Sequence, residues 1–401
     1  MEFSFIHTAD IHLGRVFSGV KGFSNDTSGI CEKAFFKIVD TAIERNVDFV
    51  LIAGDSFDDV HDIYSKSVFY DGLKRLKNNN IKVFAVCGNH DPAPVYTDIF
   101  IEEDDFIKIV GVNTEQKTFD VYKNHELNCV IHAFSFSSGC EKNPLPAMSE
   151  KVTGVFNIGL LHCDPDGSPS SPYAPCPMTE LRELGYDYYA LGHVHKRFEN
   201  ENIVMPGTPQ GCDFGEPGAH GCMYVKVSGG KCSKEFIPTD FAEYDTKTFD
   251  ITGVSDVNAV NEISNDFAKY NDGKIRILTL VLRGKTGYKR SLSDKIDELK
   301  KAINAKLPEN VFIASIIDET APEIDKNVLN TASSGLPKIL YELAEDEDLK
   351  TEIIGESEKM LERVFLQGQT LSEEAKTRIS QKISSTGLRL CEKIYCEENN
   401  E

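Results

Sequence analysis

The stretch 48-DFVLIAGDSFDD-59 places five consecutive apolar residues directly before a glycine and several carboxylates. A continuous apolar run of this length predicts a strand buried on both faces, as in a parallel sheet covered by helices. Helical patterns over 32–46 and 65–79 flank this strand, so we predict a layered α/β domain. Four further stretches also read as strands that enter a polar turn, namely 3-FSFIHTAD-10, 81-IKVFAVCGNHD-91, 129-CVIHAFSF-136 and 156-FNIGLLHCD-164.

The chain has three predicted parts. Residues 1–240 form the layered α/β domain. Residues 241–320 alternate strand and helix as a compact β-α-β-α-β unit, which we predict to be a small capping domain. Residues 321–401 have helical periodicity and form a predicted helical C-terminal segment. Within the first part, 164-DPDGSPSSPYAPCP-177 is a predicted loop that borders the functional site.

The composition argues against two classes of protein, those that bind nucleic acid through a strongly basic surface and those that span a membrane. The net charge is −21, with 64 acidic against 43 basic residues, which argues against binding nucleic acid through bulk positive potential. Metal ions or a basic partner can still supply positive charge locally. No run approaches the ~20 apolar residues that span a bilayer. The N-terminus lacks a secretory pattern, and the 11 cysteines contain no CxxC pair, so we predict reduced thiols and a cytoplasmic location.

Metal-binding residue types stand at the ends of the predicted strands. In such sheets ligands collect at the carboxyl ends of the strands, so these residues should meet at one edge. In the phrases DIH and HVH, the i, i+2 spacing puts both side chains on one face of an extended segment. Gly14, Gly54, Gly88 and Gly192 allow the tight turns required there. The candidate ligands are Asp10, His12, Asp55, Asn89, His162, His193 and His195.

A ligand set of this kind suits phosphodiester hydrolysis. The reaction needs a nucleophile at neutral pH and positive charge near the phosphate oxygens. Two divalent ions ~3.5–4 Å apart supply both. Mixed imidazole and carboxylate ligands favour Mn, Fe or Zn over Mg, which prefers oxygen alone.

The motif order D-x-H, G-D, G-N-H-D, H and G-H-x-H resembles the calcineurin-like metallophosphoesterases. The longer phrases HTADIHLG, AGDSFD, GNHDP, YALGHVHK and PGTPQGCDFGE look like the SbcD/YhaO type of DNA repair exonucleases. These are bacterial relatives of the nuclease subunit of the double-strand-break repair complex. The resemblance covers roughly residues 1–240, and a cap and a helical tail also follow in that family. One departure is Cys212, which stands where Arg, a natural phosphate contact, is frequent.

The resemblance implies a role for each candidate residue. His90 would face the phosphate, where it stabilises the transition state or protonates the leaving oxygen. Asp91 would orient His90 through a hydrogen bond. One Mn²⁺ would be held by Asp10, His12 and His195, the other by Asn89, His162 and His193, with Asp55 bridging the two ions.

Several other residues near these motifs favour plainer roles. His7 and His132 lie within predicted strands, where a hydrogen-bonded core histidine is expected, and His61, His125 and His220 match no ligand position. Asp58 either supports the turn after Asp55 or caps it. Cys163 is read as a small residue beside the site. Lys196 and Arg197 could form a basic lip, although an ordinary solvated turn is favoured.

The resemblance also implies partners. The leading hypothesis is a Mn-dependent DNA exonuclease that works in DNA repair with an SMC-like (SbcC/YhaN-type) ATPase docked on the C-terminal helices, as a homodimer and without a membrane. Alternatives are a phosphatase or cyclic-nucleotide phosphodiesterase on small substrates, and a scaffold that does not cut. Apolar stripes on the tail fit either docking or internal packing; they contain Leu361, Val364, Phe365 and Ile379.

Overall fold

The chain folds into two compact units. The first comprises Met1–Tyr244 with Lys274–Arg276, and the second comprises Asp245–Gly273 with Ile277–Glu401. The predicted α/β class is confirmed, while the division at residues 240 and 320 stays a prediction. The computed structural model describes residues 2–23, 27–59, 62–96, 105–165, 167, 171–270, 272–286, 292, 295–324, 329, 335–364 and 371–399.

Two six-stranded sheets form the first unit. The first sheet has the order β12-β11-β1-β2-β3-β4, in which β1 to β4 are parallel and β11 runs antiparallel to β1. Its strands are β1 (Glu2–Thr8), β2 (Phe49–Ala53), β3 (Lys82–Val86), β4 (Ile107–Ile109), β11 (Gly221–Ser228) and β12 (Lys231–Pro238).

The second sheet has the order β5-β6-β7-β8-β10-β9 and is parallel from β6 to β10. Every residue of β2, β7 and β8 is buried, as the continuous apolar runs predict. The strands are β5 (Thr118–Lys123), β6 (Glu126–Phe134), β7 (Phe156–His162), β8 (Tyr188–Gly192), β9 (Phe198–Asn200) and β10 (Ile203–Met205).

The two sheets pack face to face between helices. On β2, Leu51 faces the second sheet, where it belongs to the same apolar cluster as Ile158 of β7. Its neighbours Val50 and Ile52 face the opposite side and pack with Phe35. The helices on that outer side are α1 (Ile30–Glu44) and α2 (Ile63–Asn78), and α3 (Met178–Leu184) covers the second sheet. This four-layer arrangement brings the carboxyl ends of β1, β2, β3, β7 and β8 to one edge.

The second unit has its own core. A three-stranded sheet has the order β13-β14-β16, and its apolar face packs on helices through Ile263, Leu280 and Ile303. The elements are β13 (Ala242–Asp250), α4 (Asp256–Phe267), β14 (Ile275–Arg283), β15 (Lys285–Thr286), α5 (Ile296–Asn304), β16 (Val311–Asp318), β17 (Ala321–Pro322), α6 (Leu336–Glu345), α7 (Glu347–Val364) and α8 (Glu373–Asn399).

The helical character predicted for the C-terminal segment is confirmed by α6, α7 and α8. Throughout the described ranges, no helix has the length and apolar character needed to cross a membrane.

Candidate metal site

The loops that follow β1, β2 and β8 are joined by hydrogen bonds that backbone amides donate. The amide of Asp10 donates to the Gly54 carbonyl at 3.1 Å, and that of His12 donates to the Asp55 carbonyl at 3.0 Å. The amide of His193 donates to the Asp10 carboxylate at 2.9 Å. These bonds hold three of the predicted ligand segments in one fixed arrangement.

Four of the seven predicted ligands have left-handed backbone conformations. Their φ angles are 50° at Asp10, 46° at His12, 48° at Asp55 and 98° at His193. Residues other than glycine rarely adopt φ > 0, and such strain is concentrated at functional sites, where the surrounding structure must maintain it. The bonds between the loops maintain it here, and these four candidate ligands are among the ten non-glycine residues with positive φ in the described ranges.

Asp10, His12 and His195 form the first group of ligands. Each offers one ligand atom, and these three atoms lie within 4.8 Å of one another. The Nε2 atoms of His12 and His195 are 3.0 Å apart. The Asp58 carboxylate lies 3.3 Å from His12 Nδ1, and this interaction lowers the pKa of Asp58. Asp58 therefore does more than support a turn, because its carboxylate contacts Nδ1 of His12, the ring nitrogen that does not face His195.

Asn89, His162 and His193 form the second group. The Asn89 Oδ1 atom lies 3.1 Å from His162 Nε2 and 3.1 Å from His193 Nδ1. His162 Nδ1 is 2.9 Å from the Ala53 carbonyl, which can only accept a hydrogen bond, so the Nδ1 atom carries the proton. His162 Nε2 then faces the oxygen atoms of Asn89 and Asp55 and is the nitrogen left to bind a cation.

Asp55 lies between the two groups. Its Oδ2 atom is 3.3 Å from His162 Nε2 and 3.8 Å from His12 Nε2. Its Oδ1 atom accepts a hydrogen bond from the His90 amide at 2.9 Å. The structure therefore brings all seven predicted ligands together, with Asp55 in contact with both groups.

The electrostatics of the cluster favour bound cations. Burial opposes ionisation of Asp55, but the neighbouring His162 lowers the pKa of this carboxyl well below its usual range. Burial also opposes protonation of His162, but Asp55 raises the pKa of His162 to about 9. Burial and the nearby His162 lower the pKa of His193. A largely buried set of carboxylate and imidazole groups is the donor set that divalent Mn, Fe and Zn bind, so the residues present fit a metal site.

His90 and Asp91 lie at this site in different environments. The His90 side chain is exposed, and its ring centroid is 4.9 Å from that of His12. Asp91 is fully buried and accepts hydrogen bonds from the Ser56 amide at 2.6 Å and the Gly88 amide at 2.8 Å.

The hydrogen bond expected between the Asp91 carboxylate and the His90 ring is absent among the described contacts. Besides the amides, Asp91 accepts a bond from the Tyr96 hydroxyl at 2.7 Å. Burial, together with the charge of Asp55, raises the pKa of Asp91 to about 7. The role expected for Asp91 is thus corrected: it ties the Asp55 loop to the Asn89 loop and does not orient His90.

Cys212 also differs from the expectation. It stands where an arginine could contact phosphate, yet its side chain is 1% exposed and its sulfur lies 3.5 Å from that of Cys31. This position therefore faces the interior. The cation near the site is Arg15 instead, whose Nη1 atom is 3.4 Å from His195 Nδ1 and 2.7 Å from Glu216 Oε1.

Sequence reasoning missed Arg15 and Glu216. Both were available as charged residues next to motifs, since Arg15 follows the phrase HLG and Glu216 ends the phrase PGTPQGCDFGE. Their contact joins positions 201 residues apart, which one sequence does not reveal.

Tyr173, within the predicted loop 164–177, borders the site, because its ring lies 5.2 Å from that of His193. Lys196 is exposed, and the Arg197 guanidinium stacks on Phe236 at 4.3 Å. Arg197 is thus packed on the protein surface, which favours the plainer reading of this pair.

The remaining histidines lie apart from the cluster or outside the described residues. His7 and His132 are buried, and they bond to the Tyr188 hydroxyl and to the Asn157 side chain, so the prediction of core histidines is confirmed. His125 is exposed in a turn. His220 is buried and bonds to Thr208. His61 lies outside the described residues.

Comparison with known proteins agrees with this geometry. Residues 3–197 match the family described as calcineurin-like phosphoesterase. The metallophosphoesterase YhaO of Bacillus subtilis is 29% identical over 354 residues, which are 84% of this chain and 86% of that protein. The DNA double-strand break repair protein Mre11 of Sulfurisphaera tokodaii is 26% identical over 315 residues, covering 73% of this chain and 77% of that protein.

Among solved structures, the calcineurin-like phosphoesterase YfkN from Bacillus subtilis matches with a TM-score of 0.38 and 13% identity, over 59% of this chain and 91% of that chain. The matched family segment contains all seven predicted ligands together with His90 and Asp91. Residues 3–197 therefore form a calcineurin-like phosphoesterase domain.

Proposed function

We propose that this metallophosphoesterase is a DNA exonuclease that uses two divalent cations, Mn²⁺ first among them, and acts in DNA repair. The observation that carries the proposal is the convergence of six predicted ligand side chains around a seventh, Asp55, within a chain similar over most of its length to YhaO and to Mre11. The name of the second relative states a role in double-strand break repair, which is the source of the DNA substrate in this proposal.

The proposal assigns three residues to each ion. Asp10, His12 and His195 would hold one, and the other would be held by Asn89, His162 and His193, with Asp55 shared. When bound, the cations supply Lewis acidity toward water and toward the phosphate oxygens.

The protein itself prepares this chemistry through its hydrogen bonds. The Ala53 carbonyl keeps the proton of His162 on Nδ1, which leaves Nε2 free as a ligand atom. The His90 amide and the Asp91 network hold the Asp55 loop against the loop that carries Asn89. The reacting phosphate therefore meets groups that are already in place.

His90 is the proposed general acid. Its ring is exposed beside His12, so a phosphate at the cluster can reach it, whereas the buried ligands face inward. An imidazole can donate a proton to the departing oxygen at neutral pH. Its orientation does not depend on Asp91, whose carboxylate is occupied elsewhere.

The proposed ATPase partner would dock on the C-terminal helices. In support, α6 exposes an apolar row at i, i+3 and i+7 spacing, formed by Leu336, Ile339 and Leu343. Of the residues expected to form the docking stripe, Ile379 is half-buried, the side chains of Leu361 and Val364 are not described, and Phe365 lies outside the described residues. Homodimer formation also stays a proposal.

The decisive experiment combines three substrates. Metal-free protein is supplied with Mn²⁺ and tested on bis-p-nitrophenyl phosphate, on end-labelled linear DNA and on free or cyclic nucleotides. Cleavage of the first two substrates is expected. Cleavage of nucleotides without any cleavage of DNA would instead favour the small-substrate phosphodiesterase. The net charge of −21 is an observation in favour of that alternative. A protein that binds Mn²⁺ and cuts nothing would be the scaffold.

His90→Asn tests the general acid. We expect turnover to fall by about 10²–10⁴-fold with Mn²⁺ binding unchanged, because general acid catalysis contributes that much and the side chain is not a proposed ligand. Unchanged turnover would remove His90 from the mechanism.

A further inference from the structure

Glu216 is a buried carboxylate that contacts the candidate site from outside the ligand set. Its side chain is 8% exposed. The Oε1 atom accepts from Arg15 Nη1 at 2.7 Å and lies in short contact with His195 Nδ1. The Oε2 atom accepts from the Cys212 amide at 2.9 Å. Both carboxylate oxygens therefore accept from fixed donors, Arg15 on one side and the Cys212 amide on the other.

The contact with Glu216 decides which nitrogen of His195 carries the proton. An ionised carboxylate can only accept hydrogen bonds, so Nδ1 must be the donor. The other nitrogen, Nε2, lies 3.0 Å from His12 Nε2, within the group that also contains Asp10. Arg15 cannot compete for this proton, because a guanidinium has no acceptor. Its charge instead keeps Glu216 ionised inside the protein.

We propose that Glu216 is a positioning residue, which holds His195 in the tautomer whose Nε2 lone pair points toward Asp10 and His12. Arg15 in turn holds Glu216. The inference rests on the proposed function, since a cation is what the free lone pair would bind. Ligand histidines commonly donate their second nitrogen to a carboxylate in this way, and the partner sets the orientation of the ring.

A purely structural role for the carboxylate is the competing explanation. The loop that carries Glu216 has other anchors, however. The Ser18 amide donates to the Cys212 carbonyl at 2.9 Å, and His220 Nε2 lies 3.0 Å from the Glu216 carbonyl. These bonds involve backbone atoms of the loop and survive a change of the Glu216 side chain. The loop should therefore stay in place when the carboxylate is altered.

The test compares Glu216→Gln with Asp213→Asn. Glutamine keeps the size of the side chain but turns one oxygen into a donor, which must then face either Arg15 or the Cys212 amide, both of them donors. Asp213 also accepts from Arg15, at 2.8 Å, and is 38% exposed on its side chain, so its variant removes a neighbouring ion pair without touching His195. It is the matched control.

Two measurements are needed. Titration calorimetry with Mn²⁺ on the metal-free proteins should show one of two sites weakened by about 10–100-fold in Glu216→Gln, the loss typical when such a partner is removed. The other site and both sites of Asp213→Asn should match the wild type. Nitrogen-15 spectra of histidine-labelled, metal-free protein should show the Nδ1–H form of His195 in the wild type and in Asp213→Asn, and a mixture in Glu216→Gln.

The outcomes separate this inference from the proposed function. If the wild type binds no Mn²⁺, the proposed function fails, and the His195 tautomer in the metal-free proteins still decides whether Glu216 positions the ring. An unchanged tautomer in Glu216→Gln, or wild-type Mn²⁺ affinity at both sites of that variant, would overturn the positioning role.

Discussion

Buried histidines occupy two kinds of environment in this protein. His7 lies in the core, where Nδ1 is 3.0 Å from the Tyr188 hydroxyl and Nε2 is 3.2 Å from the Leu191 carbonyl. At the sheet edge, by contrast, His12 and His195 face one another through their Nε2 atoms. His162 faces the oxygen atoms of Asp55 and Asn89.

Protonation shifts in opposite directions at His7 and at His162. Burial lowers the pKa of His7 to about 3, so that ring is neutral and matched by its neighbours. His162 is equally buried, yet Asp55 raises the pKa of His162 to about 9. Burial alone therefore does not define a metal site. The distinguishing feature of the candidate metal site is that several acceptor groups converge there. The hydrogen-bond donors of the protein do not supply enough positive charge to balance them.

The largest expected effect comes from removing the carboxylate shared by both ligand groups. Asp55→Asn should lower phosphoesterase activity by more than about 100-fold, the upper loss typical when a residue that only supports a metal ligand is removed. Bound Mn²⁺, measured by elemental analysis, should also fall, because the charge that balances both cations is gone.

A core histidine provides the contrasting variant. His132 Nε2 bonds to Asn157 Oδ1 at 3.0 Å, and the ring stacks on Tyr186. His132→Ala should lose about 1–3 kcal/mol of unfolding free energy, because a buried hydrogen bond and the stacking on Tyr186 are lost, while keeping its Mn²⁺ content. Full Mn²⁺ content in Asp55→Asn, or loss of Mn²⁺ in His132→Ala, would contradict the distinction between the two environments.

A smaller effect is expected at Gly54, which lies between β2 and Asp55. Its φ is +86°, and a Cβ there would collide with the His162 ring. Gly54→Ala should therefore weaken Mn²⁺ binding by displacing a ligand, and should cost about 1–3 kcal/mol in unfolding free energy through backbone strain. Calorimetry and urea denaturation measure the two effects.

Gly154→Ala is the matched control for strain alone. Its φ is +85°, and nothing lies within 4 Å of the position that a Cβ would take. This variant should show the loss of stability without any loss of Mn²⁺ affinity. Equal affinities in the two variants would show that His162 tolerates the added methyl group.

Much of the first unit could be predicted because its central strands are continuous apolar runs. β2, β7 and β8 are buried along their whole length, so each is a largely apolar run that predicts a buried strand. β12 shows why other strands are harder. It lies at the edge of its sheet, its residues are half-buried or exposed, and its sequence KCSKEFIP has little apolar character.

The ligand residues of the candidate site could be predicted, because their types and order form sequence motifs. The side-chain contacts that depend on packing could not. Asp10, Asp55 and the other ligands stand at strand ends, and parallel strands must bring those ends together. The role of Asp91 could not be obtained this way, because neighbours in sequence need not have side chains in contact. Its carboxylate turns to the Ser56 and Gly88 amides, which only the folded loops bring within reach.

The smallest expected effect concerns the pH dependence of stability at His7. The pKa of a histidine is about 6.5 in the unfolded chain, whereas burial lowers the pKa of His7 to about 3 in the native state. Between these values the unfolded state binds a proton that the native state does not. The unfolding free energy should therefore fall as pH decreases below about 6.5, by about 1 kcal/mol from this residue over the first pH unit.

His7→Gln isolates that contribution, because glutamine does not titrate and can still bond to Tyr188 or Leu191. Urea denaturation of both metal-free proteins at several pH values gives two stability curves. The variant should start lower at neutral pH, since one bond is lost, and should then fall less steeply as the solution becomes more acidic. The other titrating groups are common to both proteins and cancel in the difference. Two parallel curves would mean that His7 keeps its ordinary pKa in the folded protein. Burial in the core would then not by itself distinguish the protonation of His7 from that of the histidines at the candidate metal site.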